Sequence, residues 1–453
     1  MREGVLRHIC VALVSSIWFA CALVGGPHTA FAADNLVSVT FTDANHGWAV
    51  GNNSSGHSTI VSTVDGGLNW RTQCSVSGTD LGSIAFGDAT HGWAVGWNGA
   101  VFATADGGAH WTRRAVETTT NLMCVDFASV NLGWVSGFNY SGGLSPVLST
   151  RDGGDHWLGQ ETGGLKVCGI DFANGTTGWA VGSWGEIAKT VDGGEHWYRQ
   201  VSGHRPGEVT TFDEIWAVDF ADESHGWAVG DSASQVQFDS LPSFILRTVD
   251  GGATWASRTM TDVAGLSSVC AVDATHAWVV GYTMDQHGVI LATADGGATW
   301  GTQLSTGVTD AYSPSAVTFV DANRGWAVGR HGAIWATSDG GAHWVRRAPF
   351  VSTPVAPSVM RRGRYYSISG FVTPMHTSGT YLVTLQFYQR NSSGRYVYHH
   401  SIRAKRYYYS TSRTAYKASV SLPHRGRWRV RAVHGDSEGC GPFYSGYDYI
   451  TVK

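Results

Sequence analysis

A two-part phrase recurs seven times along this chain: Gly-Trp-Ala-Val-Gly or a near copy, then, after a short gap, Thr-x-Asp-Gly-Gly-x-x-Trp. The first Trp is Trp48, Trp93, Trp134, Trp179, Trp227, Trp278 and Trp326. The box Asp is Asp65, Asp106, Asp152, Asp192, Asp250, Asp295 and Asp339, with spacings of 41, 46, 40, 58, 45 and 44 residues. A period of roughly 40–50 residues restricts the fold to a solenoid, a propeller or an array. The two phrases use 14 of the 20 Trp, so most of the aromatic content is scaffold.

The second unit reads most clearly. Ser83–Phe86 alternates strand-forming residues, Asp88-Ala-Thr-His is a turn, and Gly92–Gly96 is a second short strand. Asn98-Gly99 is a strong two-residue hairpin signal leading into Ala100–Thr104. Asp106-Gly-Gly turns the chain again, and Trp111 opens a fourth strand. Four short strands per repeat make one propeller blade, so residues 34–350 are expected to form a seven-bladed β-propeller.

Seven equivalent carboxylates argue against catalysis, which needs one special site. The box Asp residues are expected to staple turns: each carboxylate accepts N–H groups while the next Gly takes a positive φ. The box Trp should pack between sheets, its indole N–H reaching a turn carbonyl. His recurs before both Trp positions, as at His46, His91, His110 and His156. Residues repeated blade by blade lie around a ring and do not converge on a metal.

The distance from the first Trp to the box Asp is 13 residues at its shortest and 23 in the fifth unit. The excess falls between the second and third strands, which puts the insertions on one face, with the inter-blade linkers and opposite the boxes. The fifth insertion, Asp231 to Ser243, should lie beside the preceding linker, Ser202 to Glu214. Together they suggest a contact patch of His204, Arg205, Asp213, Glu214, Gln235, Gln237 and Asp239. Three consecutive units also carry Asp just before the inner-strand Phe, at Asp126, Asp171 and Asp219. Like charges beside a central channel are costly unless bonded or paired. That register is therefore either a cation site or a set of carboxylates bonded to neighbouring backbone.

Residues 1–33 read as an export signal: Arg2, Arg7 and His8, an apolar run from Ile9 to Val24, then Ala30-Phe31-Ala32 for cleavage. No later segment reads as a membrane-spanning helix, so the protein is expected to be secreted or held at the cell surface. Cys74, Cys124, Cys168, Cys270 and Cys440 remain, an odd number without metal-ligand spacing or a disulfide framework. Charge divides the rest. Residues 34–360 hold 14 Lys and Arg against 31 Asp and Glu, a net −17, and residues 361–453 hold 15 against 3, a net +12. The Pro-rich stretch 351–360 reads as a linker. Alternating segments beyond it predict a basic, Tyr-rich β-sandwich at 361–453. Arg427, Arg429 and Arg431 alternate and so share a face; Arg403, Lys405 and Arg406 adjoin a run of Tyr. This composition suits an anionic cell-wall or surface glycan, sugars stacking on Tyr and acidic groups pairing with Arg. It equally suits docking on the chain's own acidic propeller.

Gly182-Ser-Trp-Gly-Glu-Ile187 leading to Thr190-Val-Asp-Gly-Gly-Glu-His-Trp197 resembles the repeat of the photosystem II stability and assembly factor family. The resemblance covers residues 36–350 and implies a seven-bladed propeller acting as a binding scaffold in photosystem assembly. In that family a basic surface is associated with docking; the acidic propeller and the appended basic domain depart from it. The box is also similar to those of sialidases, sortilin-type receptors and some polysaccharide hydrolases. A sialidase would need an arginine cluster and a tyrosine nucleophile, whereas Arg71, Arg113, Arg114, Arg199, Arg346 and Arg347 all closely follow box Trp residues. The C-terminal stretch resembles the immunoglobulin-like modules appended to bacterial surface proteins. The chain is thus expected to be all-β, a seven-bladed β-propeller followed by a small immunoglobulin-like sandwich. Its expected role is an exported non-catalytic scaffold for a protein or glycan, without cofactor or nucleic acid. The alternative is a secreted glycoside hydrolase working through two carboxylates.

Overall fold

The computed structural model describes residues 35–453 apart from 53–55, 69, 139–145, 204–210, 235–242, 307–312, 347–349, 352–353, 374–382, 411–412, 435–442 and 445–447. The leader expected at 1–33 lies outside the described residues. Each repeat folds as a four-stranded antiparallel meander, and the seven meanders form a β-propeller. In the second blade the strands are Leu81–Phe86, Gly92–Gly96, Ala100–Thr104 and Thr112–Arg114, within two residues of the sequence expectation. The Asn98-Gly99 turn takes φ of 57° and 63°, the left-handed pair that a tight hairpin requires. No strand is shared between the first and last blades: blade 1 runs from Asn35–Phe41 to Arg71–Ser77, and blade 7 from Pro314–Phe319 to Val345–Arg346.

Closure therefore rests on side chains. The first Trp of each phrase lies flat on the inner-strand Phe of the following blade, as Trp93 does on Phe127 with centroids 3.4 Å apart. Its indole N–H donates to a carbonyl of that blade's box: Trp48 to Gly107, Trp93 to Gly153, Trp134 to Gly193, Trp179 to Gly251 and Trp278 to Gly340. Trp326 repeats the bond to Gly66 at 2.9 Å and stacks on Phe41, which closes the ring. Each aromatic pair contributes about 0.5–1.5 kcal/mol beyond the area it buries. The box Trp meets the same Phe edge-on, as Trp157 meets Phe127. The Gly before each first Trp faces that Trp's own blade Phe: Phe172 pairs with Gly178, where a Cβ would stand 2.4 Å from the ring.

Blade 6 breaks this rule. Its inner strand ends in Ala271, paired with Ala277 where the other blades pair Phe with Gly. Among the described residues, Trp227 of blade 5 consequently has no Phe to lie on, and its buried indole N–H has no hydrogen-bond partner.

The C-terminal domain forms one continuous hydrogen-bonded sheet path instead of two separate sheets. The reason is the fifteen-residue strand Tyr396–Ser410, which pairs with Val383–Arg390 along its first part and with Arg413–Val420 along its last. The sheet is nearly closed around Ile368, Leu385, Phe387, Tyr416, Trp428 and Val430. The segment expected as a linker joins it: Phe350–Val351 and Val359–Met360 are both strands of this sheet.

Candidate functional site

Every box Asp is engaged by its own turn. Asp106 Oδ1 accepts the N–H of His110 at 2.9 Å and the hydroxyl of Thr104 at 2.8 Å. The Thr104 hydroxyl in turn accepts the N–H of Gly108, and Gly107 and Gly108 hold φ of 70° and 92°. The His110 ring nitrogen sits 2.7 Å from Asp106 Oδ2; in blades 5 and 6, Thr254 and Thr299 take that place. The His110 bonds and the Thr104 hydroxyl hold the Asp106 carboxyl down to about 2. Asp65, Asp152, Asp192, Asp250, Asp295 and Asp339 each accept the same Thr hydroxyl at 2.8 Å. The turn carbonyl expected to receive the box Trp is taken in most blades by the first Trp of the preceding blade; Trp157, which reaches Gly154, is an exception.

Asp126, Asp171 and Asp219 tie blades together. Their Oδ2 atoms accept the N–H of Phe172, Phe220 and Ala271 respectively, each on the next blade's inner strand. Among the described residues, no three His, Cys, Asp or Glu side chains converge as a metal site. Backbone of the next blade thus occupies the Oδ2 atom of each of these carboxylates. Burial pushes Asp126 up to about 6 and Asp219 up to about 7, and drives Asp171 upward further aided by its two acidic neighbours. Cys270 follows in the next blade, its sulfur accepting the N–H of Phe319. Cys74, Cys124 and Cys270 are free thiols.

On the insertion face, the contact patch is only partly visible: His204, Arg205, Gln235, Gln237 and Asp239 lie outside the described residues. Asp213 and Glu214 belong to the inner strand Thr211–Phe220, which with Gly226–Ser234 continues the ladder past the common length of a blade. That extension sets Asp213 opposite Ser232, which donates to it at 2.5 Å, and Glu214 opposite Asp231. Glu214 is 4% exposed, and among the described residues its Oε2 has no hydrogen-bond partner. Burial raises its carboxyl to about 7. Asp231 is raised to about 6, again chiefly by burial, although Trp216 donates to its Oδ2 at 3.0 Å.

Blade 4 supplies the other wall. Its second hairpin turns at Trp184-Gly185, with φ of 68° and 65°. Gly185 donates to the carbonyl of Asp213 at 2.7 Å, and Ser183 bridges to Glu214. Trp184 is partly exposed, with Lys166 Nζ 5.7 Å from its ring centroid. Sequence reading missed Lys166, Trp184, Trp216 and Asp231 as neighbours of Glu214. The available signal was the apolar-polar alternation across Thr211–Ser234, which would have set the register.

On the C-terminal domain the basic residues fall into an aromatic ladder. The Arg429 guanidinium lies 5.2 Å from the Tyr388 ring and 4.8 Å from Tyr396, and Arg431 lies 5.4 Å from Tyr388 and donates to Gln386. Arg403 pairs across from Thr384 and Lys405 across from Lys417; both basic side chains are exposed, as is Arg427. The Arg406 side chain lies outside the described residues.

The ring of Trp-anchored meanders, closed on itself and carrying one irregular face, defines a single-chain seven-bladed β-propeller. Residues 72–162 and 199–425 match the family described as Photosynthesis system II assembly factor YCF48, and the chain belongs to that family. No curated protein matches it. Among solved structures, one described as YCF48 bound to D1 peptide is 18% identical with a TM-score of 0.51, covering 67% of this chain and 93% of its own. YCF48 from Cyanidioschyzon merolae is also 18% identical, with a TM-score of 0.48 over 67% of this chain and 95% of its own. The GH74 xyloglucanase from Xanthomonas campestris is 14% identical with a TM-score of 0.30, covering 90% of this chain and 69% of its own.

Proposed function

We propose that this protein is an exported, non-catalytic scaffold whose propeller binds a protein segment on its insertion face. The observation that carries the reading is the division of labour between faces. The repeated carboxylates are engaged by turns and inter-blade bonds, whereas the irregular hairpins of blades 4 and 5 meet around the facing acids Glu214 and Asp231 on the other face. Family membership supports a peptide partner, because a YCF48 relative holds a D1 peptide. Hydrolysis is the second reading, because Glu214 has the raised carboxyl of a general acid. The C-terminal Arg–Tyr ladder is the part suited to an anionic cell-wall or surface glycan, with Arg pairing acidic groups and Tyr stacking on sugar.

The test is binding of a D1 peptide to the intact protein by fluorescence anisotropy, alongside a screen of glycans for released reducing sugar. Saturable binding weakened by Trp184→Ala supports the scaffold. Sugar release that is lost in Asp213→Asn or Glu214→Gln overturns it. Retention on cell-wall material that falls as salt rises supports the glycan role of the ladder, and salt-independent retention sinks it.

A further inference from the structure

Two acidic side chains directly opposite each other on neighbouring strands repel, and such pairs are avoided. Glu214 and Asp231 are such a pair, with Asp213 adjacent on the same strand. Burial pushes the Glu214 carboxyl upward most, with Asp231 and Asp213 adding to it, while a hydrogen bond with Ser183 and the charge of Lys166 oppose them. A carboxylate oxygen buried without a partner costs more than one hydrogen bond restores. Glu214 Oε2 is such an atom. Beside it, Trp184 holds a left-handed backbone conformation that bulky residues rarely adopt, at the tip of a hairpin bonded to Asp213. Strain of this kind persists only where surrounding contacts enforce it, and it gathers at binding sites. Blade 2 uses Asn98 at the corresponding turn, a residue suited to the conformation, so the Trp is not demanded by the fold.

We infer that Glu214, Asp231 and Trp184 form a receptor site for one cationic side chain, a lysine ammonium or an arginine guanidinium, presented by a protein partner. The cation satisfies Glu214 Oε2, offsets the repulsion between the paired acids and lies against the Trp184 ring, whose face attracts positive charge as it does Lys166. The inference rests on the insertion face being the binding face. Its test uses small probes, so it can fail while D1 peptide binding succeeds, and the reverse.

The peptides acetyl-Ala-Lys-Ala-amide and acetyl-Ala-Arg-Ala-amide are titrated into the intact protein, with norleucine and citrulline versions as uncharged controls. The indole N–H resonances of Trp184 and Trp216 report occupancy. Saturable shifts are expected with the charged peptides alone, and Glu214→Gln is expected to weaken binding about tenfold or more. Glu195→Gln, on the box face, should leave the affinity unchanged. Asp231→Asn serves as the second variant should Glu214→Gln fail to fold. Equal binding of the uncharged peptides, unchanged affinity in both acidic variants, or no saturable shift would each overturn the site.

Discussion

The smallest unit that decides this fold is the indole N–H of the first Trp. Six such groups are bonded across a blade seam, and that of Trp227 is not. Trp134→Phe keeps an aromatic ring on Phe172 but leaves the Gly193 carbonyl without its donor. It should cost about 1–2 kcal/mol in urea unfolding. Trp227→Phe loses the same ring volume but removes an N–H that already lacks a partner, so it should cost less than Trp134→Phe by about the worth of that bond. Equal losses in the two variants would show that the bond contributes nothing. Both residues sit in near-identical phrases and are fully buried, so the sequence and burial alone predict no difference. The distinction lies in what the next blade presents.

An element-level rule follows from the pairing of the inner and second strands. Phe requires Gly opposite it, because a Cβ there would stand far inside van der Waals contact with the ring, 2.4 Å in blade 4. Gly178→Ala should therefore overpack the seam and cost about 1–3 kcal/mol or more. Blade 6 solves the same constraint with Ala271 and Ala277, giving up the stack on Trp227. Ala271→Phe alone should clash with the Ala277 Cβ. Combined with Ala277→Gly it should recover the stack, and a double-mutant cycle should return a favourable coupling of about 0.5–3 kcal/mol. A coupling of zero would mean the two positions do not share one space. The same scale explains the C-terminal domain: the alternation of Arg427, Arg429 and Arg431 against buried Trp428 and Val430 was readable, but one strand spanning both halves of the sheet was not.

At the scale of the whole molecule, two sets of carboxylates pull stability in opposite directions with pH. Asp126, Asp219 and Glu214 have folded values raised to about 6, 7 and 7, burial being the largest cause in each. Raised acids bind protons more readily in the folded chain, so their contribution is complete below about pH 4 and is lost as pH rises through 6–7. The box acids Asp106, Asp192, Asp250, Asp295 and Asp339 are held down to about 2 by backbone and side-chain hydrogen bonds. Theirs is present above about pH 4 and lost as pH falls toward 2. The thermal midpoint should peak at about pH 4 and decline toward pH 8. Asp219→Asn keeps an oxygen to accept the Ala271 N–H and should flatten the alkaline decline. A midpoint level between pH 5 and 8 would refute the assignment. At this scale too, the buried residues around Phe41 and Trp326 are continuous with those around Met360 and Trp428, so the closing seam and the C-terminal core are one apolar cluster.

The repeat by itself determined seven meanders, the turn chemistry of each box and the face on which insertions gather, because these depend on local spacing and on residues that act within one blade. Tertiary structure alone decided which groups meet across blades. It gave Asp126, Asp171 and Asp219 their backbone partners, buried Glu214 opposite Asp231 and left Trp227 without a stacking ring. Such encounters depend on strand register and on the neighbour some 45 residues away, and a local phrase that is nearly the same in every copy carries no information about either.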